Sequence, residues 1–216
     1  MISSSINNIK TDWYNILNNF DYSILDNFFY KLKDKKIYPE YNNIFNCFNY
    51  FNFNDLKVVI LGEDPCKNNE ANGLCFNIIN NNKFKNNSVK NIIKELNRSF
   101  NSNINNINIE KWALQGVLLL NNSLTISDNK KHISIWNEFI IYIINYISTN
   151  NVNIVFMLWG KKSFERELFI DNINNCILKS YHPSPINSKY KFIGNNHFVL
   201  CNIYLKKSKI NKVNWI

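Results

Sequence analysis

Eight consecutive residues, Val58-Val59-Ile60-Leu61-Gly62-Glu63-Asp64-Pro65, constrain this chain more than any other stretch. Four branched apolar residues in a row lack the alternation of a half-exposed strand, and they describe a strand buried on both faces. Gly62 permits a sharp departure from it, since a residue without Cβ tolerates backbone conformations that others avoid. Pro65 stiffens the turn after the strand and pushes Asp64 toward an extended conformation. A carboxylate is thereby presented just beyond the carboxyl end of a buried strand, where open α/β sheets place their chemistry. Asp is also an ordinary turn former, and these residues alone do not separate the two readings.

Three more apolar runs read as strands, at 116–121, 152–159 and 176–181. Between them lie helical patterns. Trp13, Ile16, Leu17 and Phe20, then Leu25, Phe28, Phe29 and Leu32, follow helical spacing with a break near Asp21. Ser88 is placed to N-cap a helix whose apolar stripe is Val89, Ile92, Ile93, Leu96 and Phe100. Further helices are expected at 135–147 and 195–206. Strands alternating with helices predict an α/β fold, with a central four-stranded, mostly parallel sheet flanked by helices. No repeat, linker or composition shift divides the 216 residues, so residues 1–216 are expected to form one domain. The asparagine-rich runs near 80–82 and 103–106 are flanked by apolar periodic segments and read as loops.

The formal net charge of +9 favours polyanionic partners, nucleic acid first. The five cysteines are odd in number and include no C-x-x-C pair, so reduced thiols and no metal are expected. No stretch reaches the roughly 18 apolar residues that span a bilayer. Residues 1–10 are polar and lack the apolar core of a signal peptide. The expectation is a soluble monomer of a bacterial cytoplasm, or of a eukaryotic nucleus or organelle, with no membrane partner.

Three of the predicted strands lead into polar residues: Asp64, Asn121 and His182. In a parallel sheet all carboxyl ends share one edge, so these side chains can converge on one pocket. With those residues assembled, the chain resembles the family-1 uracil-DNA glycosylases over nearly its whole length. Gly62-Glu63-Asp64-Pro65-Cys66-Lys67 stands where that family has G-Q-D-P-Y-H, and Gly73-Leu74-Cys75-Phe76 matches its G-L-C-F segment. The run from Trp112 to Asn121 matches the strand that supplies its base-reading asparagine. His182-Pro183-Ser184-Pro185 matches its H-P-S-P loop.

The resemblance implies hydrolysis of the N-glycosidic bond of deoxyuridine in single- or double-stranded DNA, with no metal or cofactor. It implies Asp64 and His182 as catalytic residues, and Glu63, Cys66, Phe76 and Asn121 as substrate-binding ones. Lys67, Ser88, Gly160, Lys161, Ser184 and Ile186 would face DNA, Ile186 as the wedge that fills the space of the flipped nucleotide. The motif departs from the family at three places. Cys66 replaces a tyrosine whose ring blocks a thymine methyl, which implies weaker rejection of thymine or other 5-substituted uracils. Glu63 adds a second carboxylate beside Asp64, and Lys67 replaces a histidine. These substitutions are the support for an alternative, a glycosylase-like DNA-binding or scaffold protein with little or no catalysis.

Overall fold

The computed structural model describes residues 1–66, 71–77, 87–127, 130–184 and 192–216. Its centre is a sheet of four strands: β2 (Val58–Gly62), β3 (Val117–Asn121), β6 (Val155–Trp159) and β7 (Cys176–Ser180). They run in the order β3-β2-β6-β7, all parallel. Every residue of β2, β3 and β6 is buried, as unbroken apolar runs require. β7 lies at an edge and is only half-buried, which its Lys179 tolerates.

The helices carry their apolar stripes inward. Helix α5 (Ile133–Asn150) buries Trp136, Phe139, Ile140, Ile143, Ile144 and Ile147, the 3–4 spacing of one helical face. Helix α3 (Asn87–Phe100) buries Val89, Ile92, Ile93 and Leu96 and packs on α7 (His197–Lys207). The amino-terminal segment forms α1 (Trp13–Asn18) and α2 (Ser23–Tyr30). They are separated where Asp21 Oδ1 accepts the Ser23 amide at 2.9 Å, an Asx turn that places the break where sequence expected it. Trp13 packs its ring against Phe48 and Phe53, each at 5.0 Å, so the irregular aromatic stretch closes the core from that side.

Helix α4 (Ile109–Ala113) leads into β3 through Gly116, at φ 90. Helix α6 (Lys161–Phe164) leaves β6 through Gly160, at φ 109. Both glycines stand in the left-handed region, which side chains with a Cβ rarely adopt.

Several details differ from the sequence reading, among them the helix expected at 195–206, which begins at His197 because Asn196 stands at φ 57. Helix α3 already includes Asn87, so Ser88 is its second residue and not its N-cap. Helix α5 extends beyond 135–147 at both ends. β6 starts at Val155, because Asn153 turns at φ 64 and bonds Asn174 O instead of joining the strand. A second, antiparallel sheet of β1 (Ile37–Tyr38), β4 (Ile126–Ser127) and β5 (Lys130–Lys131) had no sequence signal, since two-residue strands carry no periodicity. Among the described residues no helix is long and apolar enough to cross a membrane.

Candidate functional site

Parallel registry sets the site. Gly62 lies opposite Asn121, and Trp159 opposite Ser180, so the carboxyl ends of all four strands form one edge. Beyond that edge lies a cavity of about 200 Å³ lined by Glu63, Asp64, Cys66, Phe76, Asn121 and His182, with Ser88 of α3 also at its wall.

Asn121 is 4% exposed, and no hydrogen bond engages its side-chain amide among the described residues. A donor and an acceptor are therefore held at the cavity wall for a ligand. Gly62 permits this approach: a methyl there would stand 2.6 Å from Asn121 Oδ1 and 2.9 Å from Cys75 Cβ. Gly62→Ala is expected to displace the Asn121 amide and cost roughly 1–3 kcal/mol, as overpacking does. Thermal unfolding would register about 2–4 °C per kcal/mol for a chain of this size. An unchanged midpoint would show that the wall yields.

Phe76 sits at φ 63, a strained position for a non-glycine residue. The segment around it is tied down on both sides. The Cys75 amide donates to Leu119 O at 3.0 Å, and Asn72 and Asn77 both donate to Glu110 Oε1 at 3.3 Å. The Phe76 ring centroid stands 5.5 Å from Trp159 and 5.6 Å from His182. Trp159 is in turn held by its Nε1–H, which donates to His197 Nδ1 at 3.0 Å.

His182 accepts the Ser184 backbone N–H at Nδ1 (3.1 Å), which assigns the proton of the neutral ring to Nε2. Burial pushes its pKa below the usual histidine value. The charges of Glu63 and Asp64 oppose that shift, and the charge of Lys131 adds to it. The ring is therefore neutral at pH 7. Gly160 lies directly behind it, since a Cβ there would stand 3.3 Å from His182 Cβ. Asn91 of α3 donates to Pro183 O at 2.7 Å and fixes the same loop.

Asp64, with a side chain 16% exposed, meets a group that nothing in the sequence singled out. Lys131 Nζ lies 3.0 Å from Asp64 Oδ1 and 2.5 Å from Glu63 Oε1. Burial lowers the Lys131 pKa, but the hydrogen bonds to Glu63 and Asp64 outweigh it, and the net shift is upward. Behind this triad, Asn122 Nδ2 donates to Gly62 O and to Ser163 Oγ, both at 2.9 Å. Its Oδ1 accepts from buried Arg166 Nε at 3.0 Å. These bonds hold the turn after β2 to the turn after β3.

The structure thus brings together Glu63, Asp64, Cys66, Phe76, Asn121, His182 and Ser88, with Gly160 and Ser184 against His182. Lys161 is the exposed first residue of α6, following Gly160. Lys67 and Ile186 lie outside the described residues. Lys131, Asn91, Asn122 and Arg166 were missed. Lys131 is 68 residues from Glu63 in a short polar run, and no spacing rule links them. Among the described residues no group of three or more His, Cys, Asp and Glu side chains could hold a metal ion.

Fold and site together define an α/β protein with a small pocket at the carboxyl edge of its parallel sheet, lined by an aromatic ring, an amide, an imidazole and two carboxylates. Residues 48–206 match the model of the uracil DNA glycosylase superfamily. A uracil-DNA glycosylase of Francisella tularensis subsp. tularensis is 44% identical over 189 residues, covering 85% of this chain and 86% of the relative. The one from F. tularensis subsp. novicida is 43% identical over 187 residues, covering 84% of each. In fold, the chain is similar to mimivirus uracil-DNA glycosylase, with a TM-score of 0.82 and 24% identity. That match covers 94% of this chain and 85% of the other. The wild-type UNG of Nitratifractor salsuginis gives a TM-score of 0.70 at 16% identity, covering 94% of each chain. This chain belongs to the uracil DNA glycosylase superfamily.

Proposed function

We propose that this protein is a uracil-DNA glycosylase that initiates base-excision repair, hydrolysing the bond between uracil and deoxyribose in DNA. The observation that carries the reading is the meeting of Asp64, Phe76, Asn121 and His182 around one cavity, in a chain closely similar to relatives that bear this name.

Each group suits one demand of the reaction. A base inside a duplex is out of reach, so it must leave the stack before its bond can be cut. The Phe76 ring offers it an aromatic face. The Asn121 amide donates to uracil O4 through Nδ2 and accepts the N3–H at Oδ1. Cytosine presents the reversed pattern and leaves both amide groups unpaired, which is the strong form of discrimination. As the C1′–N1 bond breaks, its electron pair leaves on uracil. The His182 Nε2–H donates to O2 as charge develops there, and a neutral imidazole is the form that does this without titrating. The Asp64 carboxylate faces the cation-like sugar and orients the water whose oxygen bonds to C1′, taking up its proton. Ser88, Ser184, the Gly160 turn and Lys161 surround this centre where a phosphate backbone would run, and the net charge of +9 favours its approach.

Cys66 lines the same cavity, and a cysteine fills much less of it than a tyrosine would. The reading therefore includes weaker rejection of thymine. The test is base release from matched oligonucleotides carrying U:A, U:G, single-stranded U, C:G and T:G. Free uracil from the first three and nothing from C:G is expected. Slow thymine release is expected from T:G, and Cys66→Tyr should lower it at least several-fold relative to uracil release. No base from any strand, with DNA binding intact, would replace this function with a DNA-binding one. Equal T:G discrimination by Cys66→Tyr and the unaltered protein would remove the cysteine's role alone.

A further inference from the structure

We propose that Lys131 is a positioning residue of this site, cancelling the charge of Glu63 and holding Asp64 by one carboxylate oxygen so that a single negative charge faces the substrate. The inference rests on reading the pocket as a base-releasing one.

Glu63 and Asp64 are adjacent in sequence and both line the cavity, so two carboxylates crowd its mouth. Two like charges there would repel each other and the incoming phosphates of DNA. Lys131 answers both: its ammonium touches Glu63 Oε1 at 2.5 Å and Asp64 Oδ1 at 3.0 Å. The sum of the three groups is one negative charge, the charge of Asp64 alone. With Oδ1 engaged by Lys131, rotation of the Asp64 carboxylate is restricted, and its second oxygen would be the one to meet water and sugar. The same ammonium offsets the two carboxylates at His182 and so helps keep that ring neutral.

The placement of Lys131 is built in. Ser123 links the two halves of the contact. Its backbone N–H donates to Glu63 O at 2.9 Å, and its Oγ accepts the N–H of His132, the residue after Lys131, at 3.2 Å. The His132 ring is buried between Thr125 Oγ1 and Ser127 Oγ, each 2.9 Å from a ring nitrogen. Lys131 itself pairs with Ile126 in the β4–β5 ladder. These bonds place the backbone of Lys131 beside the turn after β2, within side-chain reach of both carboxylates. At 39% exposure the side chain is screened enough that its effect should appear in the reaction rather than in folding.

The test is a double-mutant cycle of Lys131→Met and Glu63→Gln. It reads kcat and KM on single-stranded uracil DNA, and affinity for the same strand carrying 2′-fluoro-2′-deoxyuridine, whose fluorine disfavours the sugar cation and blocks cleavage. In the presence of Glu63, Lys131→Met is expected to lower kcat and weaken affinity, each on the order of tenfold. In the Glu63→Gln background the same change is expected to cost about threefold or less, the part owed to the Asp64 tether. Lys131→Arg should retain most of both, and the thermal midpoint should not move. Equal losses in the two backgrounds, or no loss in either, would overturn the proposal. Affinity is read even if the unaltered protein releases no uracil, so the coupling decides this inference separately from the glycosylase reading.

Discussion

Asparagine in place of Asp64 is expected to lower uracil release by about 10²–10⁴-fold, the range spanned by a positioned acid–base group and a preorganised charge. The substitution keeps the shape of the side chain and removes its charge, so water can still be oriented but neither deprotonated nor balanced against the cationic sugar. The surroundings argue that the variant remains folded. Asp64 sits in a turn whose backbone is tied through Glu63 O and Gly62 O to Ser123 and Asn122, not through its own carboxylate. Lys131 keeps Glu63 as a partner when Asp64 loses its charge. Single-turnover base release, with affinity for the fluorinated strand as control, would measure it. A variant that keeps more than a tenth of the rate with normal affinity would mean that another group activates the water.

The second large effect is on stability, and its sign comes from His197. That ring is 4% exposed and accepts the Trp159 Nε1–H at Nδ1, so it is held neutral. Burial, opposed by a bond to the Lys179 backbone, pushes its pKa down from the usual 6.5 to about 4. Between these values the unfolded chain binds a proton that the folded one refuses. Stability is then complete above pH 6.5 and falls as pH drops toward 4. The loss from this ring alone reaches about 2 kcal/mol at pH 5 and roughly 3 kcal/mol near pH 4. His132 and His182, whose pKa values burial also lowers, act in the same direction. His197→Gln removes one titrating group, so its stability should fall less steeply over this window in denaturant titrations at pH 7, 6 and 5. Parallel curves would assign the acid sensitivity elsewhere. Because Trp159 backs Phe76, protonating His197 would also loosen the aromatic wall of the pocket.

The main architecture was legible because it rests on runs that have few alternatives. Val58–Gly62, Val117–Asn121 and Val155–Trp159 are too apolar to face water on either side, and a parallel sheet under helices is the arrangement that hides them. The convergence of Asp64, Asn121 and His182 was legible for the same reason, since strands in parallel share a carboxyl edge. The motif resemblance added Phe76, which periodicity alone would have assigned to the core.

The features that stayed hidden depend on contacts between segments far apart in the chain. Ser88 reads as a cap from its residue type, but it lies inside α3, which already includes Asn87. Arg166, which no motif singled out, is buried, and its Nε–H and an Nη1–H donate to the amide oxygens of Asn122 and Asn137.

The sequence by itself determined which chemical groups stand at the ends of the buried strands, because apolar patterning decides which runs are strands and therefore which residues come after them. Only the tertiary structure decided the electrostatic state of those groups. A charge acts over a few ångströms in space regardless of separation along the chain. Lys131 reaches Asp64 because Ser123 and His132 fold a two-residue strand back over the turn after β2.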